Sequence, residues 1–320
     1  MNPPIPPVAT ETLPYDAAAI ARAAALVTRG LPVAVPTETV YGLAADATSG
    51  EAVARIYAAK GRPAFNPLIV HVADAGAAAG IALLDAVARR LADAFWPGPL
   101  TLVLPLAEGS PVAPIVTAGL ETVALRVPAH RAMRDLLAAC GRPLAAPSAN
   151  ASGAISPTRA EHVVASLGGR IPLVIDAGPT AMGLESTIVA VGQDALRLLR
   201  PGPVTREMLA GASGLPVREG VSGGKIEAPG QLASHYAPGR PLRLNATAAR
   251  AGEWLIGFGP VAGDATLSPS GDLIEAAARL FAALHEADAS GAEAIAVAPV
   301  PDDGIGAAIN DRLRRAAAPR

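Results

Sequence analysis

The sequence predicts an α/β protein in two parts, a mixed α/β domain of about 200 residues followed by a smaller, open α/β domain. Three observations predict it. Short apolar runs alternate with helical periodicities from residue 16 to residue 200. A stretch rich in Gly, Pro and Ser interrupts the pattern at 206–240. The alternation then resumes as far as residue 317. The expected organisation is a first domain over 1–205, a linker over 206–240 and a small domain over 241–320. A linker of that length is flexible or functional.

The elements follow in order. Asp16 to Arg29 is Ala-rich with apolar residues at helical spacing, and Gly30 stands where a helix stops. LPVAVPT (31–37) is a buried strand ending in polar residues. EAVARIYAAK (51–60) is a helix stopped by Gly61 and Pro63. PLIVHVA (67–73) is a strand, and Ala86 to Phe95 is a helix closed by the loop WPGP. LTLVLPL, TVALRVP, LAAPSA, LVIDAG, STIVAV and LRLLRPG are further strands, with helices at 130–140 and 158–168. A helix end opens the 206–240 stretch. Beyond it, PLRLNA, EWLIGFG and AEAIAVAPV are strands, and Leu273 to Asp288 and Ile305 to Ala317 are helices.

Composition narrows the function. Of 320 residues, 51% are hydrophobic and only 3% aromatic, so the core is built from Ala, Val, Leu and Ile. A net charge of −2 argues against attachment to nucleic acid or membrane by bulk charge, though not against a local basic cleft. One cysteine, Cys140, forms neither an intrachain disulfide nor a multi-cysteine metal site, and fits a reducing, cytoplasmic setting. The opening MNPPIPPVATETLPYD has neither the basic nor the apolar region of a secretory signal. No charge-free apolar run approaches the roughly 18 residues of a membrane span. There is no GxxxxGK[ST], no full GxGxxG after a strand, no HExxH and no GxSxG, and the five His are widely separated, so no metal ligand set is predicted.

What remains is a set of polar residues in apolar strand ends. Lysine occurs only at Lys60 and Lys225 while all other basic residues are Arg, so the placement of Lys60 invites a reason. In PTETVYGLAADA (36–47), Thr37, Thr39 and Tyr41 share parity and would face one way in an extended chain. In KGRPAFNPLIVHV (60–72), Lys60 and Arg62 stand two apart past a helix, followed by Asn66 and His71. In ETVALRVP (121–128), Thr122 and Arg126 share one strand face, and an Arg there calls for an anion. In APSANASGAISPT (146–158), Ser148 and Asn150 share parity, with Ser156 beyond, and small residues let backbone approach a ligand. Ser186 opens a strand and Arg200 closes one. Each has an ordinary reading: a polar strand face, a basic helix cap, a structural Asp or Glu for Arg126, a Ser/Gly loop. Together, the cations Lys60, Arg62, Arg126 and Arg200 and the hydroxyl and amide groups suit a polyphosphate beside a small carboxylate.

The combination PTETVYGL, KGRPAFNPLIVHV, WPGPLTLVL, VALRVP, PSANASGAISPT and ESTIV…LRPGPV resembles the YrdC-type domain. SHYAPGRPL, LSPSGDLIEAAARLFAALHEAD and GIGAAINDRLRRAA resemble the C-terminal domain of its longer form, so the resemblance spans about 13 to 318. It implies a twisted, mixed sheet with a basic concave cleft. It implies the synthesis of threonylcarbamoyl-adenylate from L-threonine, bicarbonate and ATP, releasing pyrophosphate, for the threonylcarbamoyl-adenosine modification of tRNA. Carried residue by residue, it implies that Thr39, His71, Arg126, the backbone at Ala146 and Ser186 hold threonine. Arg62, Asn66, Thr122, Ser148, Ser156 and Arg200 would hold ATP, Tyr236 would reach it from the linker, and Lys60 and Asn150 would complete the phosphate or bicarbonate side. Lys60, Arg62, Ser148 and Asn150 are the expected catalytic set. Mg2+ would ride on the phosphates, and product could pass to a tRNA threonylcarbamoyl transferase complex.

Three rival readings remain for test. An RNA-binding module lacks aromatic–basic interleaving here. A carbamoyl phosphate-dependent relative, as in hydrogenase maturation, would carry acylphosphatase and zinc-finger segments that this chain lacks. A regulator without catalysis would not need Lys60, Arg62, Ser148 and Asn150 together.

Overall fold

The computed structural model describes residues 8–220, 226–231 and 234–319. The elements run β1 (Glu11–Pro14), α1 (Ala17–Thr28), β2 (Val33–Pro36), β3 (Tyr41–Asp46), α2 (Gly50–Lys60), β4 (Ile69–His71), α3 (Ala75–Ala79), α4 (Ala86–Phe95), β5 (Leu100–Pro105), α5 (Pro114–Thr117), β6 (Thr122–Arg126), α6 (Arg131–Cys140), β7 (Leu144–Ala145), α7 (Ala160–Leu167), β8 (Leu173–Asp176), β9 (Thr187–Val191) and β10 (Leu196–Arg200). They continue with α8 (Arg206–Ser213), β11 (Val217–Glu219), β12 (Leu242–Arg243), β13 (Glu253–Gly257), β14 (Ala265–Thr266), α9 (Leu273–Ala289), β15 (Ala294–Val297) and α10 (Gly306–Ala317).

The strands form a mixed sheet in the order β1-β8-β2-β3-β7-β4-β6-β5-β9-β10-β11 and a separate all-parallel sheet, β12-β15-β13-β14. Helix starts are marked by side chains that accept an otherwise unpaired N–H: Asp16 before α1, Ser49 before α2, Asp85 before α4 and Asp272 before α9. Gly61, with φ of 60°, ends α2. Aliphatic residues fill both faces of the large sheet, Leu43, Ile56, Leu102 and Leu125 on one side and Val35, Leu136 and Ile175 on the other.

Two features position the site. First, the 206–240 stretch begins as structure: α8 packs against α4, and β11 extends the large sheet by pairing with β10. Residues 221–225 and 232–233 of that stretch lie outside the described residues. Second, the core of the small domain includes Val40, Ile155, Leu184 and Tyr236 together with Phe281, Leu284 and Ile309. The two parts therefore share apolar packing. At this seam Gly183 lies so close to α9 that a Cβ would sit 2.4 Å from the Ala277 carbonyl oxygen.

Two strand-based expectations are corrected. Residues 37–40 form the turn between antiparallel β2 and β3, so parity does not align Thr37, Thr39 and Tyr41. Thr37 Oγ1 holds the turn, 2.7 Å from Thr39 Oγ1 and 2.7 Å from the Val40 carbonyl, while the Tyr41 hydroxyl donates to Gly178 O at 2.7 Å. Likewise Ser148 and Asn150 lie in a bend beyond β7, with only an isolated bridge from Ser148 to Gly42.

Candidate active site

A cavity of about 40 Å³ opens over the middle of the large sheet. Of the residues singled out in the sequence, Thr39, Arg62, His71, Arg126, Ala146, Ser148, Ser186, Arg200 and Tyr236 line it. Pro229, Gly230 and His235 join Tyr236 as its cover from the 206–240 stretch. Parallel pairing of β4 with β6 sets His71 beside Arg126. Antiparallel pairing of β9 with β10 brings Arg200 back to the start of β9.

Three cations line the cavity and a fourth, Lys60, reaches the backbone of Ser148 at its wall; all are buried, Lys60 3% exposed, Arg62 9%, Arg126 3% and Arg200 4%. Arg126 has the structural acid that its strand position calls for. Its Nη2 donates to Glu38 at 2.5 Å, its Nη1 to Thr39 Oγ1 at 3.0 Å and its Nε to Gly98 O at 3.1 Å. The N–H groups of Ala129 and His130 hold the other Glu38 oxygen. Burial alone would raise the Glu38 pKa, but Arg126 and these hydrogen bonds bring it below the usual range.

The other three cations have no such partner. Lys60 Nζ donates to the carbonyl oxygens of Ser148, at 2.5 Å, and of Asn150. Arg62 donates to the carbonyls of Asn66 and Pro67, at 3.2 and 2.9 Å. Arg200 donates to Ser186 O at 3.0 Å and Ser186 Oγ at 3.1 Å. None forms an ion pair with a described carboxylate. Burial, aided by Arg62, lowers the Lys60 pKa well below the ordinary lysine value, and burial brings Arg62 down to about 10. Lys60 is thus more than a helix cap: it ties the end of α2 to the 148–150 loop.

Several polar atoms nearby are buried without a hydrogen-bond partner: both side-chain amide atoms of Asn66, both ring nitrogens of His71, Asn150 Oδ1 and the Tyr236 hydroxyl. Buried polar groups are rarely left so. Burial lowers the His71 pKa to about 3, so its ring is neutral. Asn150 Nδ2 donates to the carbonyls of Ala151 and Ala154 at 2.9 and 2.8 Å and shapes the loop before Ser156. Ser156 is already engaged, donating to Glu185 Oε1. Thr122 is half-buried at the start of β6, and neither it nor Lys60, Asn66, Asn150 or Ser156 lines the cavity.

The structure adds residues that the sequence reading passed over. Glu185 lines the cavity and accepts from Ser156 and, at 2.8 Å, from Arg312 Nε on α10. Arg312 is fully buried and lies 5.2 Å above the Tyr236 ring. Burial would raise the Glu185 pKa, but Arg312 and Arg200 hold it below the usual carboxylate range. Arg312 was detectable as a charge three residues from Ile309 on the apolar stripe of its helix. Gly230, at φ of 85°, lets the cover come down: a Cβ there would meet Arg200 Cδ at 2.8 Å and Tyr236 Oη at 2.9 Å.

Residues 25–202 match the family described as Telomere recombination (Sua5, YciO and YrdC), and 204–318 match the family described as Threonylcarbamoyl-AMP synthase, C-terminal domain. The threonylcarbamoyl-AMP synthase of Bacillus subtilis (strain 168) is 41% identical, covering 97% of this chain and 96% of the relative. That of Pyrococcus abyssi (strain GE5 / Orsay) is 40% identical over 92% of each. The crystal structure of P. abyssi Sua5 complexed with L-threonine superposes with a TM-score of 0.87 at 37% identity, covering 97% of both chains. Full-length HypF in its phosphate- and nucleotide-bound form shares only the fold, at 19% identity and a TM-score of 0.52 over 57% of this chain and 28% of that chain.

Proposed function

The chain belongs to the threonylcarbamoyl-AMP synthase family in its long, two-domain form, and from that membership we propose how its residues join L-threonine, bicarbonate and ATP into threonylcarbamoyl-AMP and pyrophosphate. The observation that carries the reading is the group of three buried cations that form no ion pair with a described carboxylate, only Arg200 feeling the charge of Glu185, beside unpartnered amide, imidazole and phenol groups. Uncompensated buried charge is destabilising by several kcal/mol per ion. An anionic ligand supplies the missing partner.

Threonine's carboxylate meets Arg126, whose orientation Glu38 and Gly98 fix, and Thr39 and Ser186 stand beside it. Neutral His71 and the Ala146 backbone accept from the amino group. The amine adds to bicarbonate with loss of water to form a carbamate, a carbamate oxygen attacks the α-phosphorus, and the bond to pyrophosphate breaks. No protein nucleophile takes part. Arg62, Asn66, Ser148, Ser156, Thr122, Arg200 and Tyr236 hold ATP. Lys60 and Asn150 complete the phosphate and bicarbonate side. Lys60, Arg62 and Arg200 offset the repulsion between two anions brought together, so positioning and electrostatics supply most of the rate. Mg2+ carried on the phosphates would neutralise more of that charge. Among the described residues there is no group of three or more His, Cys, Asp or Glu that could hold a metal ion.

Pro229, Gly230, His235 and Tyr236, from the part of the 206–240 stretch beyond α8 and β11, act as a lid. With Pro229, Gly230, His235 and Tyr236 in place the cavity is only about 40 Å³, far below the volume of an ordinary ligand site. The lid therefore withdraws for loading and returns to keep water from the intermediate. The product then passes to a tRNA-modifying transferase in the cytoplasm. Among the described residues no helix is long and apolar enough to cross a membrane.

The test is pyrophosphate release from ATP with each substrate omitted in turn, and mass spectrometry of the product. Release that needs both threonine and bicarbonate supports the proposal. Release independent of threonine overturns it. Truncation after residue 205 that left turnover and intermediate lifetime unchanged would refute the lid.

A further inference from the structure

Thr101, on β5, is fully buried, and its register neighbour on β9 is Ile188. It does not line the cavity. Its Oγ1 lies 2.7 Å from Ser186 Oγ, and it has no other hydrogen-bond partner among the described residues. A hydroxyl has one hydrogen to give and two lone pairs to fill. Either hydroxyl could donate across this pair, but among the described residues Ser186 Oγ is the only acceptor within reach of the Thr101 hydrogen, whereas the Ser186 hydrogen can turn to the cavity, so Thr101 is taken as the donor. Arg200 Nη2 donates to the same oxygen at 3.1 Å.

With both lone pairs occupied, Ser186 can act toward a ligand only as a donor. Its own hydrogen has no acceptor in the described chain, and the residue is fully buried against the cavity. We infer that Thr101 is a positioning residue that fixes Ser186 as a one-way hydrogen-bond donor, which selects a carboxylate or carbamate oxygen at this point of the site rather than an ammonium or a hydroxyl proton. The adjacent Arg200 cation favours the same anionic oxygen. The inference rests on the threonine reading above and specifies which end of that ligand faces Ser186.

The experiment compares wild type, Thr101→Val, Thr101→Ser, Ser186→Ala and the Thr101→Val/Ser186→Ala double variant, with thermal melting to verify folding. Calorimetric titration with L-threonine in bicarbonate-free buffer reads the carboxylate. The threonine KM for pyrophosphate release at saturating bicarbonate reads the carbamate. Thr101→Val should weaken threonine in at least one arm by about five- to tenfold, the weight of one hydrogen bond, with the ATP KM within about twofold. Thr101→Ser, which keeps the donor, should recover the loss. In the Ser186→Ala background Thr101→Val should add nothing, because its effect runs through Ser186. Native threonine affinity in Thr101→Val, or losses that multiply in the double variant, would overturn the inference. If the valine variant does not fold, Thr101→Ala takes its place with the same two outcomes. A wild-type chain that neither binds nor uses threonine would defeat the functional reading itself, a result distinct from any of these.

Discussion

Arg312→Met removes the guanidinium that joins the small domain to the cleft and keeps most of the apolar stem. In the native chain Arg312 Nε donates to Glu185 at 2.8 Å and Nη1 to Asp311 at 2.7 Å. Without it, buried Glu185 keeps the Ser156 hydrogen bond and the nearby charge of Arg200 but no ion pair, and breaking a buried pair from one side costs about 3–5 kcal/mol. Loss of the cation over the Tyr236 ring adds up to about 2 kcal/mol. Because α10 belongs to the small domain and Glu185 to the large one, this falls on domain docking and on the placement of Tyr236. The assay is denaturant unfolding followed by fluorescence of Trp96 and Trp254, one in each domain, with the ATP KM measured alongside. Adding Glu185→Gln removes the stranded charge, so the double variant should be more stable than Arg312→Met alone. A single variant within about 1 kcal/mol of wild type, or a double variant less stable than the single, would refute the reasoning.

Arg126→Ala should weaken threonine binding by about 2–5 kcal/mol, since it also strands Glu38; an unchanged threonine KM would contradict its assignment. Lys60→Ala should depress kcat and loosen the 148–150 loop, and wild-type turnover would reduce Lys60 to a tie between backbone segments. Acidification should destabilise the fold. Burial holds His71 and His235 at pKa values of about 3, whereas the unfolded chain titrates near 6.5, so the unfolded state binds more protons between these values. The contribution is complete above pH 6.5 and declines toward pH 3, at about 1.4 kcal/mol per pH unit for each ring. Denaturation midpoints that stay flat from pH 7 to pH 5 would contradict this.

The sequence carried most of the fold because its elements are punctuated by strong signals: Asp, Ser and Thr caps, left-handed glycines and unbroken aliphatic strands. It did not carry β3, since a tight turn at Thr37–Val40 looks like the continuation of a polar strand end. Nor did it carry β11, a three-residue strand in a Gly-rich stretch. Of the site, the cations were legible, because a buried Arg or Lys stands out in apolar strands. Glu38 and Glu185 were not, because their roles depend on Arg126 and Arg312, which lie 88 and 127 residues away in sequence. Thr101 reads as an ordinary strand residue until Ser186 is placed against it.

The most direct measurement is a crystal structure with L-threonine and a non-hydrolysable ATP analogue soaked or grown in. The amino acid should lie between Arg126, His71 and Ser186, with the triphosphate on Lys60, Arg62 and Arg200 and the Asn66 and Tyr236 polar atoms engaged. Threonine or nucleotide bound elsewhere, with those buried groups still unpartnered, would contradict it.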